Sequence, residues 1–288
     1  MHRVGVDGDD LRKHGSSKDV REMSLTVVLP TLNEEAAIAP VVHSILQANL
    51  PVRDLRVLVV DDDSEDQTQQ VVLRIVERDR RVQLVTRRDR DGLARALEEG
   101  VRTARSDVVA WMDADGSMPA ATLATMCEAW YQGADLVIGS RYVPGGRSKG
   151  LAAGRSKPLG RLSALRASPD SVVAALGGDF LNAVITFMTG SAVRDHTSGY
   201  AMCTPGTALA LGFQGQHGEY CIRMIARAQR AGLAVVEVPY AIELRKGGKS
   251  KTGASFWGLM RTGIWYLSAA TYAVVIRWLH PRDQWFGR

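Results

Sequence analysis

Cysteine is scarce in this chain. Cys127, Cys203 and Cys221 are the three in 288 residues. The number is odd and the spacing fits no metal-ligand pattern. That excludes a disulfide framework and a zinc site, and points to buried, reduced thiols in a cytoplasmic protein. An apolar run long enough to cross a bilayer is also missing. The segment nearest to one, TGIWYLSAATYAVVI between Arg261 and Arg277, spans roughly 22 Å as a helix against a hydrocarbon core of about 30 Å. The first 23 residues are polar and mixed in charge, with no apolar h-region. They read as a disordered extension and not as a signal peptide. A large excess of charge of one sign is missing too: 36 Lys and Arg against 31 Asp and Glu leave a formal net charge of only +5. Such an excess is too small to indicate nucleic acid, but it favours anionic partners such as nucleotides, phosphates or anionic lipid. No internal repeat is visible.

What is there belongs to a globular protein, with 45% hydrophobic and 23% charged residues. Short apolar runs alternate with helical patterns over the first 140 residues. Strands are expected at Leu25–Leu29, Leu55–Val60, Val82–Val85, Val108–Met112 and Leu136–Ile138. Helices are expected at Glu34–Leu46, Ser64–Arg78, Leu93–Ala104 and Pro119–Tyr131. This alternation implies an α/β fold with a mainly parallel, doubly wound sheet, whose ligands bind beyond the carboxyl ends of the strands.

After residue 140 the pattern changes to a long basic segment rich in Gly, Ser and Pro. Beyond it come a helix near Val172–Thr189, the motif DHTSGYAM, a helix near Gly218–Arg230 and a strand at Ala234–Val238. The basic loop RKGGKSKTG follows. A last helix over about Ala254–Leu279 carries a stripe of Phe256, Leu259, Met260, Ile264, Leu267, Val274 and Trp278. This helix either covers the core or lies in a membrane interface, with Trp257, Trp265, Tyr266, Tyr272 and Trp278 near headgroup level.

The chemistry-bearing motifs sit where strands end. In WMDADGSMP, Asp113 and Asp115 crowd two carboxylates at the end of a buried strand. An Asp-x-Asp there can hold Mg²⁺ or Mn²⁺, with water and substrate phosphates completing the shell. Read on its own it is equally a turn, with Ser117 before Pro119 marking a helix start. In VVDDDSEDQT, Asp61, Asp62 and Asp63 can accept hydrogen bonds from a base or ribose, and Ser64 can cap the next helix. In VVLPTLNEE, Pro30 ends a strand and Asn33 can cap the helix from Glu34. Arg245, Lys246, Lys249 and Lys251 lie on flexible glycines and can close over phosphates. Acidic strand ends need a cation before they can hold a diphosphate, and a basic loop complements both.

In order, VVLPTLNEE, VVDDDSEDQT, WMDADGSMP, GSRYVPGG, DHTSGYAM and RKGGKSK resemble glycosyltransferase family 2 over roughly Leu25–Gly253. Within it they are most similar to the dolichyl-phosphate and polyprenyl-phosphate mannose synthases. The resemblance implies a GT-A fold (Rossmann-like, a mainly parallel sheet flanked by helices) at 24–253, after the extension 1–23. A C-terminal amphipathic, membrane-associated helix would follow at 254–288. It implies inverting, metal-dependent transfer of a sugar, with mannose from GDP-mannose expected first, to a polyprenyl or dolichyl phosphate. The alternatives are a hydroxyl acceptor or a UDP-sugar donor.

By position, Pro30, Leu32, Glu34, Val60 and Asp62 would contact the nucleoside. Asp113, Ala114 and Asp115 would hold the diphosphate, with Asp113, Asp115 and Ser117 around the metal. Arg141, Arg245 and Lys251 would contact phosphates. Asp115, Arg141 and Asp195 are the catalytic candidates, Asp195 as base if the acceptor is a hydroxyl. The expected location is cytoplasmic, peripheral at the membrane surface. The sequence departs from the family's habits at Leu32, where an aromatic is common, and at Asp63 and Ala94, where glycines are common.

Overall fold

The computed structural model describes residues 22–89, 91–148, 169–215, 218–243 and 256–279. Most of the expected extension, most of the basic segment after Gly146 and the basic loop with Arg245 and Lys251 lie outside the described residues. Met23 is packed in the core directly ahead of the first strand.

The central apolar runs form strands of one sheet because they are buried on both faces, as central parallel strands are, while the edge runs Val82–Thr86 and Val235–Pro239 are only partly covered. β1 (Ser24–Thr31), β2 (Asp54–Asp61), β3 (Val82–Thr86) and β4 (Val108–Trp111) alternate with α1 (Ile38–Gln47), α2 (Thr68–Val76) and α3 (Leu93–Thr103). Then follow α4 (Thr122–Tyr131), β5 (Leu136–Ser140), α5 (Pro169–Thr189) and β6 (Ala201–Cys203). The remaining elements are α6 (Pro205–Leu211), α7 (Tyr220–Arg230), β7 (Val235–Pro239) and α8 (Phe256–Leu279). The strand order is β3-β2-β1-β4-β6-β5-β7. Every pairing is parallel except those of β6, which runs antiparallel to β4 and β5.

Alternate residues of β1 feed two cores, as the period of a strand requires. Val27 and Leu29 pack with Ile38, Val42 and Met126 on one face. Val28 packs with Leu97, Val101 and Ile225 on the other. There α3 approaches the sheet closely. A Cβ on Gly100 would lie 2.4 Å from Cγ1 of Val28, so only glycine fits.

Three expectations change. β6 and α6 are additional elements. A strand of three residues behind a turn-rich motif leaves no period to read, and Pro205 opens α6 behind the Thr204 cap where it looks like a breaker. The helices expected from Glu34 and Ser64 begin later, at Ile38 and Thr68, and neither Asn33 nor Ser64 caps them. Nor does Ser117 start a helix, since α4 begins at Thr122.

In α8 the packed face is made of small residues. Ala269, Ala270 and Ala273 meet Ile185 of α5 and Ile222 of α7. Of the expected stripe, Ile264 and Leu267 are exposed and Val274 is half-buried, while the side chains of Phe256, Leu259, Met260 and Trp278 lie outside the described residues. Tyr266 packs inward, and Tyr272 Oη accepts from Nε of Arg227 at 3.0 Å. Among the described residues no helix is long and apolar enough to cross a membrane. All three cysteines are free and buried, and burial pushes the Cys127 and Cys221 thiols up to about 12.

Candidate active site

The carboxyl ends of β1, β2 and β4 open on the same side of the sheet, with β1 paired to β2 and to β4. The chain leaves β1 in one direction and returns through β4 on the other side, which is the switch point where such sheets bind ligands. The loops after β1 and β2 are laced to each other. The Asn33 amide donates to Oγ of Ser64 at 2.8 Å, and Asn33 Oδ1 accepts from the Glu65 amide at 2.8 Å. The Glu34 amide donates to Oγ1 of Thr68 at 2.8 Å, and the Gln67 amide to Oε2 of Glu35 at 2.9 Å. These bonds replace the expected helix caps, because side chains reach across the cleft instead of along their own helix.

Asn33 and Asp63 both have positive φ, 55° and 58°. Asn and Asp tolerate that region better than other side chains. The conformation also explains why glycine is common at the position Asp63 occupies.

The three aspartates after β2 divide their work. Asp61 is fully buried and accepts from Thr31 Oγ1 at 2.9 Å, Ser64 Oγ at 2.6 Å and Gln69 Nε2 at 2.7 Å, so it holds the loop. Asp62 pairs with Nη1 of Arg87 at 2.7 Å, and Arg87 also meets Asp91. Burial raises the Asp62 pKa despite the opposing pull of Arg87. Arg87 is a partner that no sequence pattern singled out. The Val60 side chain is fully buried in the core, so only its main chain is available to a ligand, while Pro30, Leu32 and Glu34 are partly exposed along the β1 end.

The acidic pair follows β4. Asp113 is half-buried, and Ala114 and Asp115 are buried. Gly116, at φ 78°, turns the chain so that the Ser117 amide donates to Oδ1 of Asp115 at 2.8 Å. The Ser117 carbonyl accepts from the Glu243 amide at 2.9 Å, which joins this turn to the segment after β7. Among the described residues no group of three acidic, His or Cys side chains could form a cage for a metal. Two carboxylates with a hydroxyl nearby are nonetheless a donor set suited to a hard divalent cation that keeps water and takes phosphate oxygens.

β6 brings DHTSGY against this pair. A side chain on Gly199 would come 3.5 Å from Oδ1 of Asp113 and 3.7 Å from Oη of Tyr220, which itself accepts from Nε1 of Trp111 at 3.0 Å. On the same segment, Asp195 grips Arg141. Arg141 donates from its amide and Nε to Oδ2 at 2.9 Å each, and from Nη2 to Oδ1 at 2.8 Å. Nη2 also donates to Oγ1 of Thr197 at 2.6 Å. Burial works against the charge of Arg141, but the hydrogen bonds and charge of Asp195 outweigh it, and the pKa rises well above the ordinary value. Both oxygens of Asp195 are thus committed.

The structure therefore sets the DHTSGY segment, which holds Arg141 through Asp195, beside the turn that carries Asp113, Ala114, Asp115 and Ser117. Arg245 and Lys251 fall outside the described residues.

Residues 26–174 match the family model for glycosyl transferase family 2. The chain is 32% identical over 257 residues to the polyprenol monophosphomannose synthase of Mycolicibacterium smegmatis, covering 85% of this chain and 88% of that protein. It is 30% identical over 242 residues to the undecaprenyl-phosphate mannosyltransferase of Micrococcus luteus, covering 82% and 90%. In fold it is similar to glucosyl-3-phosphoglycerate synthase of Mycobacterium tuberculosis, solved with Mn²⁺, UDP and glucosyl-3-phosphoglycerate. That match has a TM-score of 0.57 and 19% identity, and covers 98% of this chain and 87% of that one. The last similarity establishes the GT-A architecture.

Proposed function

The chain belongs to glycosyl transferase family 2, and from that premise we propose that it transfers a sugar, mannose first, from a nucleotide sugar to a polyprenyl phosphate with inversion at the anomeric carbon. GDP-mannose is the proposed donor. The reading is supported by the mannosyl transferases among its relatives. It is carried by one observation: β6 sets the acidic pair after β4 beside the segment that grips Arg141.

Asp113 and Asp115, with Ser117, would hold Mg²⁺ or Mn²⁺. When bound, the cation supplies charge to neutralise the leaving diphosphate. The laced loops after β1 and β2 would seat the nucleoside between Pro30, Leu32, Glu34 and Asp62. Arg141 keeps its positive charge, and its Nη1 is the nitrogen not engaged by Asp195 or Thr197. It would align the acceptor phosphate, with Arg245 and Lys251 as further phosphate contacts. A phosphate acceptor is already ionised near neutral pH and needs no general base, which agrees with the commitment of both Asp195 oxygens to Arg141 and Thr197.

We also propose a peripheral position at the cytoplasmic face of a membrane. α5 exposes Phe180 and Phe187, and α8 exposes Ile264, Trp265, Leu267 and Val275. The test is product analysis of purified protein with Mg²⁺ or Mn²⁺, GDP-mannose or UDP-glucose, and polyprenyl phosphate in detergent. A glycosylated lipid phosphate that disappears in Asp115→Ala and on chelation is expected. Transfer only to hydroxyl acceptors, or none after donor binding, would overturn the reading.

A further inference from the structure

Arg141 and Asp195 come from different parts of the chain, and one helix holds both of them from behind. α5 carries Asp179, Asn182, Thr186 and Thr189 at the three- and four-residue spacing of a single helix face. Phe180 and Phe187 lie exposed on another face of the same helix.

Asn182 brackets Asp195. It is buried, its Nδ2 donates to the Arg194 carbonyl at 2.7 Å, and its Oδ1 accepts from the His196 amide at 2.9 Å. One side chain thus holds the main chain on both sides of Asp195. Two turns further along α5, Oγ1 of Thr189 lies 3.4 Å from Nε2 of His196.

Asp179 holds the loop of the other partner. Its Oδ1 accepts from Oη of Tyr142 at 2.6 Å, and its Oδ2 from Oγ of Ser148 at 2.9 Å. Tyr142 follows Arg141, and its ring centroid lies 5.3 Å from Cζ of that arginine. The far end of the loop is tied to the end of β7, where the Arg147 amide donates to the Tyr240 carbonyl at 3.0 Å.

α5 already has an apolar anchor, Ile185 against α7 and α8, and that anchor needs none of these bonds. Apolar contact is non-directional and fixes separation. Hydrogen bonds also fix orientation, and a fully satisfied polar network makes it rigid. The group oriented here is Arg141, whose Nη1 is the nitrogen not engaged by Asp195 or Thr197.

We propose that Asp179 and Asn182 are positioning residues for the acceptor phosphate, a role that rests on Arg141 being the acceptor-phosphate contact. Asp179 fixes the loop of Arg141, Asn182 fixes its counter-ion, and α5 aims the guanidinium without touching substrate.

The full-length protein is titrated calorimetrically with farnesyl phosphate and, separately, with GDP and Mn²⁺. In Asp179→Ala and Asn182→Asp the affinity for farnesyl phosphate should fall about ten- to a hundredfold, the cost of a small misplacement of an aligning group, with GDP affinity within about twofold of the native protein. Asp179→Asn, whose amide can still bond both hydroxyls, should recover most of the loss. In transfer assays KM for polyprenyl phosphate should rise and KM for GDP-mannose should stay. Tyr142→Phe removes one hydroxyl and keeps the ring. It should weaken farnesyl phosphate in the same direction, and it guards against a misfolded Asp179→Ala. Binding lost in Arg141→Gln but unchanged in the α5 variants would overturn the positioning role and leave the acceptor site standing. Equal losses for GDP and farnesyl phosphate would also overturn it, by showing a structural role alone. Farnesyl phosphate binding that is absent from the native protein, or equal in Arg141→Gln, would overturn the acceptor site and the positioning role together.

Discussion

Replacing Asp195 with asparagine keeps the shape of the side chain and removes its charge. In the native protein this carboxylate is fully buried and takes three bonds from Arg141 at 2.8–2.9 Å and one from the Thr197 amide at 3.2 Å. An amide there accepts on one side only, and its NH₂ confronts a donor. The Arg141 guanidinium, with a side-chain exposure of 17%, is left without a counter-charge. Breaking a buried pair in this way costs about 3–5 kcal/mol, a large part of the stability of a typical domain. Urea unfolding followed at equilibrium should show the midpoint falling by about 1 M or more at an unchanged slope, for a slope near 3 kcal/mol per M. A double variant, Arg141→Met with Asp195→Leu, should recover most of the stability and none of the activity. A cost below about 1 kcal/mol for Asp195→Asn, the behaviour of a solvent-exposed pair, would refute the assignment of Asp195 as the buried anchor of Arg141.

Burial holds the His196 pKa down at about 4 against 6.5 in the open chain. As pH falls from 6.5 towards 4, the unfolded chain takes up a proton that the folded chain refuses, so stability is lost across that window. The loss between pH 7.5 and 4.5 should reach about 2–3 kcal/mol. His196→Gln should flatten that part of the profile, and an unchanged profile would count against a neutral buried ring. Phe187→Ser combined with Trp265→Ser should lower partition onto anionic vesicles about tenfold or more, since each aromatic contributes about 1.5–3 kcal/mol when buried. Flotation at full strength would exclude these side chains from the membrane contact.

The parallel half of the sheet is legible in the sequence because each strand is a continuous apolar run and each helix has its own period. The acidic pair is legible because two carboxylates beside a buried strand demand a reason. Asn33 and Ser64 are not, because a cap and a cross-loop bond use the same atoms and differ only in where the second loop lies. Arg87 as the partner of Asp62, and the alanine face of α8, depend on elements distant in sequence and carry no local periodicity. Asp195 illustrates both cases: its motif stands out, while its grip on Arg141, 54 positions away, follows only from the sheet.

β6 is three residues long, yet β4 on one side and β5 on the other reach each other only through it. During synthesis, the strands up to β4 can assemble while β5 waits without its place in the sheet, since the joining strand emerges more than sixty residues after β5 begins, at Ala201 against Leu136. The acidic pair is therefore made early and completed late. A nascent chain stopped before β6 would carry Asp113 and Asp115 without Gly199 held beside them or Asp195 on Arg141.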